Sequence, residues 1–251
     1  MINKNKILLM LATAAITCSV AATAFAAPGK FSVKADELEY NMQTGEGKGK
    51  GHVVILQDDG KATANYATFN SKAKTGTLIG NVFVDKEGTQ ISCNEFVMHN
   101  EDYTSAKGNA AVYKDGKKLE AEQIDYHKSA EYAETIGTWA RLTDTDGSTL
   151  NAGKIDYDVK KGVANAYNGI AIDSPARKLT ATADKAIYET KENGYVELIG
   201  NAQATQDGNS VTGDKLRLTN SNVAVADGNV KIIYIPEEQP AKTSEEKQDL
   251  A

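Results

Sequence analysis

The sequence predicts an all-β, antiparallel fold built from seven units of about 30 residues, and three observations predict it. Gly51, Gly80, Gly108, Gly137, Gly169, Gly200 and Gly228 open similar units, spaced 29, 28, 29, 32, 31 and 28 residues apart. A fixed period of this size marks stacked supersecondary units, each too small to bury its own apolar face. Within the units the apolar spacing is two, as in Val53/Ile55, Val82/Val84 and Val230/Ile232, which is the period of a half-buried strand. Turn signals follow at Asp58-Asp59-Gly60, Lys86-Glu87-Gly88, Lys114-Asp115-Gly116, Thr145-Asp146-Gly147 and Gln206-Asp207-Gly208. Such pairs supply the positive φ values of hairpin turns.

The chain starts with an address. Lys4 and Lys6 precede the apolar run Ile7 to Val20, and Ala24-Phe25-Ala26 has the small-x-small pattern of a cleavage site. Residues 1–26 are expected to be a secretory signal peptide, removed on export. Its loss leaves 26 basic against 34 acidic side chains, a net charge of −8. That balance argues against nucleic acid as a partner, which would want a basic face. Cys18 leaves with the signal, so Cys93 has no intrachain disulfide partner.

Each unit opens on a Gly-x strand, such as Gly80-Asn81-Val82-Phe83-Val84 or Gly108-Asn109-Ala110-Ala111-Val112. A second strand follows the turn. It carries a small column (Ala35, Ala64, Cys93, Ala121, Ala152, Ala183, Gly213) and then a mostly Asp or Asn column (Asp36, Asn65, Asn94, Glu122, Gly153, Asp184, Asp214). Four residues later comes a large position: Tyr40, Phe69, Met98, Tyr126, Tyr157, Tyr188, Leu218. Apolar parity switches across the Asp column, from Ile91/Cys93 to Phe96/Met98 and from Leu119/Ala121 to Ile124/Tyr126. A regular strand cannot change faces, so a β-bulge or bend is expected there in every unit. The carboxylate column invites a calcium reading. Glu122 and Gly153 break it, however, and no local spacing resembles a calcium loop, so no metal or cofactor is expected. The third part of each unit is more variable. Tyr195 to Ile199 and Val223 to Ala226 still look like strands, whereas Gly/Lys-rich Thr44 to Lys50 is expected to be a loop or frayed edge.

These units resemble the OstA-like repeat of the LptA family of lipopolysaccharide-transport proteins. The match is carried by Gly-Asn-Val-x-Val, a turn, and then segments such as Val33-Lys34-Ala35-Asp36-Glu37-Leu38-Glu39-Tyr40 and Thr182-Ala183-Asp184-Lys185-Ala186-Ile187-Tyr188. It covers about Phe31 to Ile235. The resemblance implies a V-shaped (taco) antiparallel β-jelly roll over residues 27–235, followed by a disordered, acidic-leaning tail at 236–251. It implies a non-enzymatic carrier that holds lipid A chains in an apolar groove and bridges the inner and outer membranes. The implied partners are like-folded domains of the membrane transport proteins, with head-to-tail homo-oligomers possible. Two departures stand out: the chain is longer than the usual member, and Asn168-Gly169 inverts the Gly-Asn order. The cleavage site and the short tail set the chain apart from the sister families that keep a membrane anchor or continue into a barrel.

The alternating positions give the groove candidates: Val53, Ile55, Val82, Val84, Ala110, Val112, Trp139, Ala202, Ala204, Val230 and Ile232. The same residues are equally suited to a dry core filled by one another. Arg141 shares the parity of Trp139 and is a candidate phosphate contact at the groove mouth, or else a solvated strand end. Phe31, Val33, Val230, Ile232 and Tyr234 fall on expected edge strands, whose open N–H and C=O groups template docking to another chain. His52, His99 and His127 form no ligand set, and the latter two are expected to be solvated at strand ends. Two rival functions remain in view. One is an envelope scaffold that binds only proteins through strand edges. The other is a polysaccharide-acting enzyme, disfavoured because the acidic residues scatter over turns and corners.

Overall fold

The structure is a computed structural model, and it describes residues 31–57, 60–189, 195–219 and 224–235. The signal segment 1–26, the tail 236–251 and the Asp58-Asp59 turn pair lie outside the described residues.

The described chain is one antiparallel meander. The short strands β1 (Phe31–Lys34) and β2 (Glu37–Tyr40) lie end to end along β3 (Glu46–Gln57). Then β4 (Gly60–Asn70), β5 (Thr75–Lys86), β6 (Thr89–Met98), β7 (Tyr103–Lys114), β8 (Lys117–His127) and β9 (Tyr132–Thr143) follow, each paired with the one before. The next row is broken into β10 (Thr149–Ala152) and β11 (Lys154–Asp158), which both pair with β9 and with β12 (Val163–Ser174). The ladder continues through β13 (Leu179–Glu189), β14 (Tyr195–Gln206) and β15 (Asn209–Thr219). It ends on β16 (Ala224–Asp227) and β17 (Lys231–Ile233), end to end along β15. The rows number two per unit. Tyr195 to Ile199 is therefore the first half of a strand that runs on through Gly200, not a separate third strand.

Every row bends at the place where the sequence changes parity. Between β5 and β6, Gly80 and Asn81 together face Asn94 alone. Gly51-His52, Gly108-Asn109, Asn168-Gly169 and Gly200-Asn201 form the same two-against-one bulge with the next strand. Gly80 and Asn81 both hold positive φ, +78° and +49°. Glycine meets that demand without a Cβ penalty, and Asn meets it better than most residues. The space is also taken: a Cβ on Gly80 would sit 2.7 Å from the Asn65 side-chain nitrogen. Gly80→Ala should therefore cost about 1–2 kcal/mol or more. A urea midpoint equal to that of the parent protein would contradict the bulge geometry.

The Asp column has a defined place. Asp36, Asn65, Asn94, Glu122, Asp184 and Asp214 lie over the glycine of the following unit, at Gly51, Gly80, Gly108, Gly137, Gly200 and Gly228. Several also bond the residue after that glycine. The Asn201 and Asn229 amides donate to Asp184 and Asp214 at 2.9 Å, and the Thr138 N–H donates to Glu122 at 2.9 Å. One unit exchanges the roles. Gly153 stands in the acidic column, and Asn168 fills the space its side chain would need, with its Cβ 2.6 Å from an ideal Gly153 Cβ. The two oddities of the sequence, Gly153 and the inverted Asn168-Gly169, are thus a single reciprocal exchange.

The Thr44 to Lys50 expectation is corrected: Glu46 to Lys50 belongs to β3. Its alternation is written in glycine, with Gly47 and Gly49 facing in and Glu46, Lys48 and Lys50 facing out. Gly47 is required because the Phe69 ring lies where its Cβ would be.

Candidate functional site

The bends give each row two halves, and the halves form two facing arms. The first arm runs from the bulges to the tight turns, the second from the bulges to the longer loops. Inward residues of both arms join one apolar cluster. Val53, Ile55, Val82, Val84, Ala110, Val112, Ala202 and Ala204 all face this interior from the first arm and are buried. The second arm adds Ala67, Leu78, Phe96, Ala106, Ile124, Leu198 and Leu216. That half of the lining was absent from the sequence candidates, although the parity switch after the Asp column signalled it.

Trp139 is a correction. It is 42% exposed, and Ala140 and Leu142 take the inward places. The cause is one extra residue. Gly137, Thr138 and Trp139 of β9 stand against Glu122 of β8 alone, whereas in the equivalent ladder Gly108, Asn109 and Ala110 of β7 stand against two residues, Cys93 and Asn94. The insertion pushes the indole outward and reverses the parity beyond it. Arg141 goes with it: it is exposed on the outer face, in register with Glu120 and Asn151, and away from any groove mouth. Val230 and Ile232 are also exposed, because no strand among the described residues covers the last row.

The rims of the two arms differ. On the first arm the alternation ends in polar residues: Gln57, Lys86, Thr89, Lys117, Asp144, Ser148 and Ser174, all buried. Lys117 pairs with Asp144 at 3.4 Å, and the Ser148 and Ser174 hydroxyls bond at 2.7 Å. On the second arm the rim is the large column, with Phe69, Met98, Tyr126, Tyr157, Tyr188 and Leu218 buried. The large column was visible in the sequence, though not its place at a rim; the polar rim was signalled only by inward parity continuing into polar residues.

The ends differ too. At the start of the sheet the rims touch: Phe31 of the first arm meets Phe69 of the second edge-on at 5.7 Å, and Tyr40 stacks on Phe69 at 6.0 Å. In the middle, Leu142, Leu150 and Ile172 face Ile155, Ala166, Tyr188 and Val196 across a cavity of ≈30 Å³. At the far end a wider, mostly apolar mouth of ≈210 Å³ opens between Leu179, Ala204 and Val211 on one side and Leu218 and Ala224 on the other, with Ile232, Ile233 and Tyr234 at its lip. Among the described residues the interior is therefore closely filled along its middle and open at its C-terminal end.

Cys93 lies inside this lining, and burial pushes its thiol up to about 12. It serves as a small core residue. His99 is exposed and His127 half-buried, and both also stack. They sandwich the Tyr103 ring at 4.3 and 4.6 Å, and the Tyr103 hydroxyl donates to Asp125 at 2.8 Å. Burial, then the nearby Lys107 ammonium, holds the His99 imidazole below its ordinary range. Among the described residues, no three His, Cys, Asp or Glu side chains gather as a metal site. The outer edges of the first and last rows carry exposed Phe31, Leu38 and Tyr40, and Val225, Val230 and Tyr234. Val33 faces inward beside Ile55 and is half-buried.

Sequence comparison assigns this architecture. The family described as LptA/(LptD N-terminal domain) LPS transport protein matches residues 32–163 and 164–224. The chain belongs to this family. LptA/LptD-type chains are lipopolysaccharide-transport proteins by that description. Among solved structures, LptH is similar; it is the LptA homologous periplasmic component of the lipopolysaccharide transport device from Pseudomonas aeruginosa. The two share 16% identity over 83% of this chain and 96% of that one, with a TM-score of 0.18. So loose a superposition carries no argument. No curated protein matches the chain.

Proposed function

We propose that this chain is a periplasmic, non-enzymatic carrier that holds the acyl chains of lipopolysaccharide in the trough between its arms and passes them between membranes. One observation carries the reading: in a chain of this family, the apolar lining runs across successive strand rows and opens as an apolar mouth at one end. Burying an acyl chain of about 12 carbons is worth about 10 kcal/mol, at ~0.8 per CH₂. A covered trough removes most of the cost that free transit through water would impose. Because the middle is closely filled, loading requires the arms to part. Among the described residues the ladders join each row to the next and none joins arm to arm, so side-chain packing is what parting the arms must overcome.

The outer edges of β2 and of β16 and β17, along which no described strand pairs, fit docking to like-folded domains, or to a second copy head to tail. The test is native mass spectrometry of the delipidated, processed protein with lipid A. The carrier takes up lipid A in defined stoichiometry. A scaffold that binds only proteins would show no lipid adduct, and that result would overturn the proposal.

A further inference from the structure

We propose that the Tyr188 hydroxyl is a hydrogen-bond donor to the carbonyl at the head of a fatty-acyl chain, an ester or an amide, held in the trough. The inference rests on the carrier reading and adds to it a named contact and the chemical group contacted.

Tyr188 lies on the inner face of β13, at the rim of the second arm, and is 8% exposed. Its hydroxyl is buried without a hydrogen-bond partner among the described residues. Native proteins seldom leave such a donor unmet, and an exception calls for an explanation. The ring borders the central cavity, walled otherwise mainly by Leu142, Leu150, Ile155, Ala166, Ile172 and Val196. The nearby Asp144 carboxylate is already engaged by Lys117 at 3.4 Å and by the Thr145 N–H at 2.6 Å. Burial first, then the Asp144 and Tyr157 side chains, keep the Tyr188 phenol protonated, so it stands ready as a donor.

The surroundings select the acceptor. A phosphate wants cations, and the cavity lining supplies none. A sugar offers many hydroxyls and wants several partners. An acyl chain is apolar along its length and carries one acceptor, its carbonyl, where it joins the headgroup. The cavity is also lined by Asn165, whose amide already donates to Asp156 at 2.9 Å; one uncommitted hydroxyl in an otherwise apolar wall matches that chemistry. The place matches as well. Asp144 belongs to the polar rim of the first arm, so Tyr188 sits where an oily interior gives way to polar groups. The ≈30 Å³ beside it suits a group of carbonyl size.

The test compares the delipidated, processed parent protein with Tyr188→Phe, measuring lipid A affinity, thermal midpoint and the infrared carbonyl band of bound lipid A. The expected result is an unchanged or raised midpoint in Y188F, lipid A affinity lower by about 3- to 10-fold, and loss of a down-shifted carbonyl band. The same assay with a diester phospholipid separates the sources. Weakening with both lipids assigns any acyl ester or amide, and weakening with lipid A alone assigns its own linkages. Equal affinity and an equal carbonyl band in both proteins would overturn the inference while leaving the carrier intact, as would a lower midpoint with unchanged affinity. If the parent protein binds no lipid A, the carrier reading itself fails, and the inference with it.

Discussion

Val112→Asp should unfold the protein, or nearly so, at neutral pH. Val112 is fully buried on β7, between Ile91 of β6 and Leu119 of β8. A carboxylate there loses its hydration and gains no partner. The cost is several kcal/mol, against a total stability of about 5–15 for a typical domain. The variant should also carry a pH signature. Burial raises the new carboxyl above its unfolded value of about 3.9, so the unfolded chain ionises first. The charge part of the penalty is absent below that value, leaving the smaller cost of an unpartnered neutral carboxyl. The charge part grows by about 1.4 kcal/mol per pH unit as pH rises, until the folded-state value is reached. The gap in midpoint between variant and parent should therefore widen from pH 4 to pH 7. Tyr113→Asp, one residue along and facing out, should change stability by only about 0.5 kcal/mol. Equal effects at the two positions would mean that β7 has no inner face.

Gly153→Asp should be strongly destabilising even though it restores the residue type of the column. Asn168 already fills the space, and overpacking of this kind costs about 1–3 kcal/mol. Asn168→Gly alone should cost less, because it removes a side chain and leaves a conformation glycine accepts. The double variant Gly153→Asp/Asn168→Gly recreates the arrangement of the other units and should recover most of the loss. In urea melts the coupling energy should be about 1–3 kcal/mol in the stabilising direction. Simple additivity would show that the two positions do not exchange roles.

These two sites mark the limits of reading by pattern. The period-two alternation and its reversal across the Asp column gave the bent strands directly. A side chain can be buried on both halves of a strand only if the strand is bent between them, as at Cys93 and Phe96. Pattern failed where a residue was added or missing. The extra residue at Trp139 reversed the parity of its strand, and the longer interval after Gly137 was the only hint. Gly47 and Gly49 hid a strand because an inward glycine looks like a turn until Phe69 is seen against it. Val230 and Ile232 have the right parity but lie on a row with one neighbour among the described residues, so alternation did not become burial. The orphan hydroxyl of Tyr188 was not legible at all. Its column was, but an unmet donor is a property of three-dimensional surroundings.

The central claim is that the space between the arms takes up lipid. Site-specific photo-crosslinking tests it most directly, with a photoreactive residue placed in turn at inward Val84 and Val112 and at outward Phe83 and Tyr113. The account predicts lipopolysaccharide adducts from positions 84 and 112 and none from 83 and 113. Adducts from the outward pair alone, or equally from both faces, would contradict it.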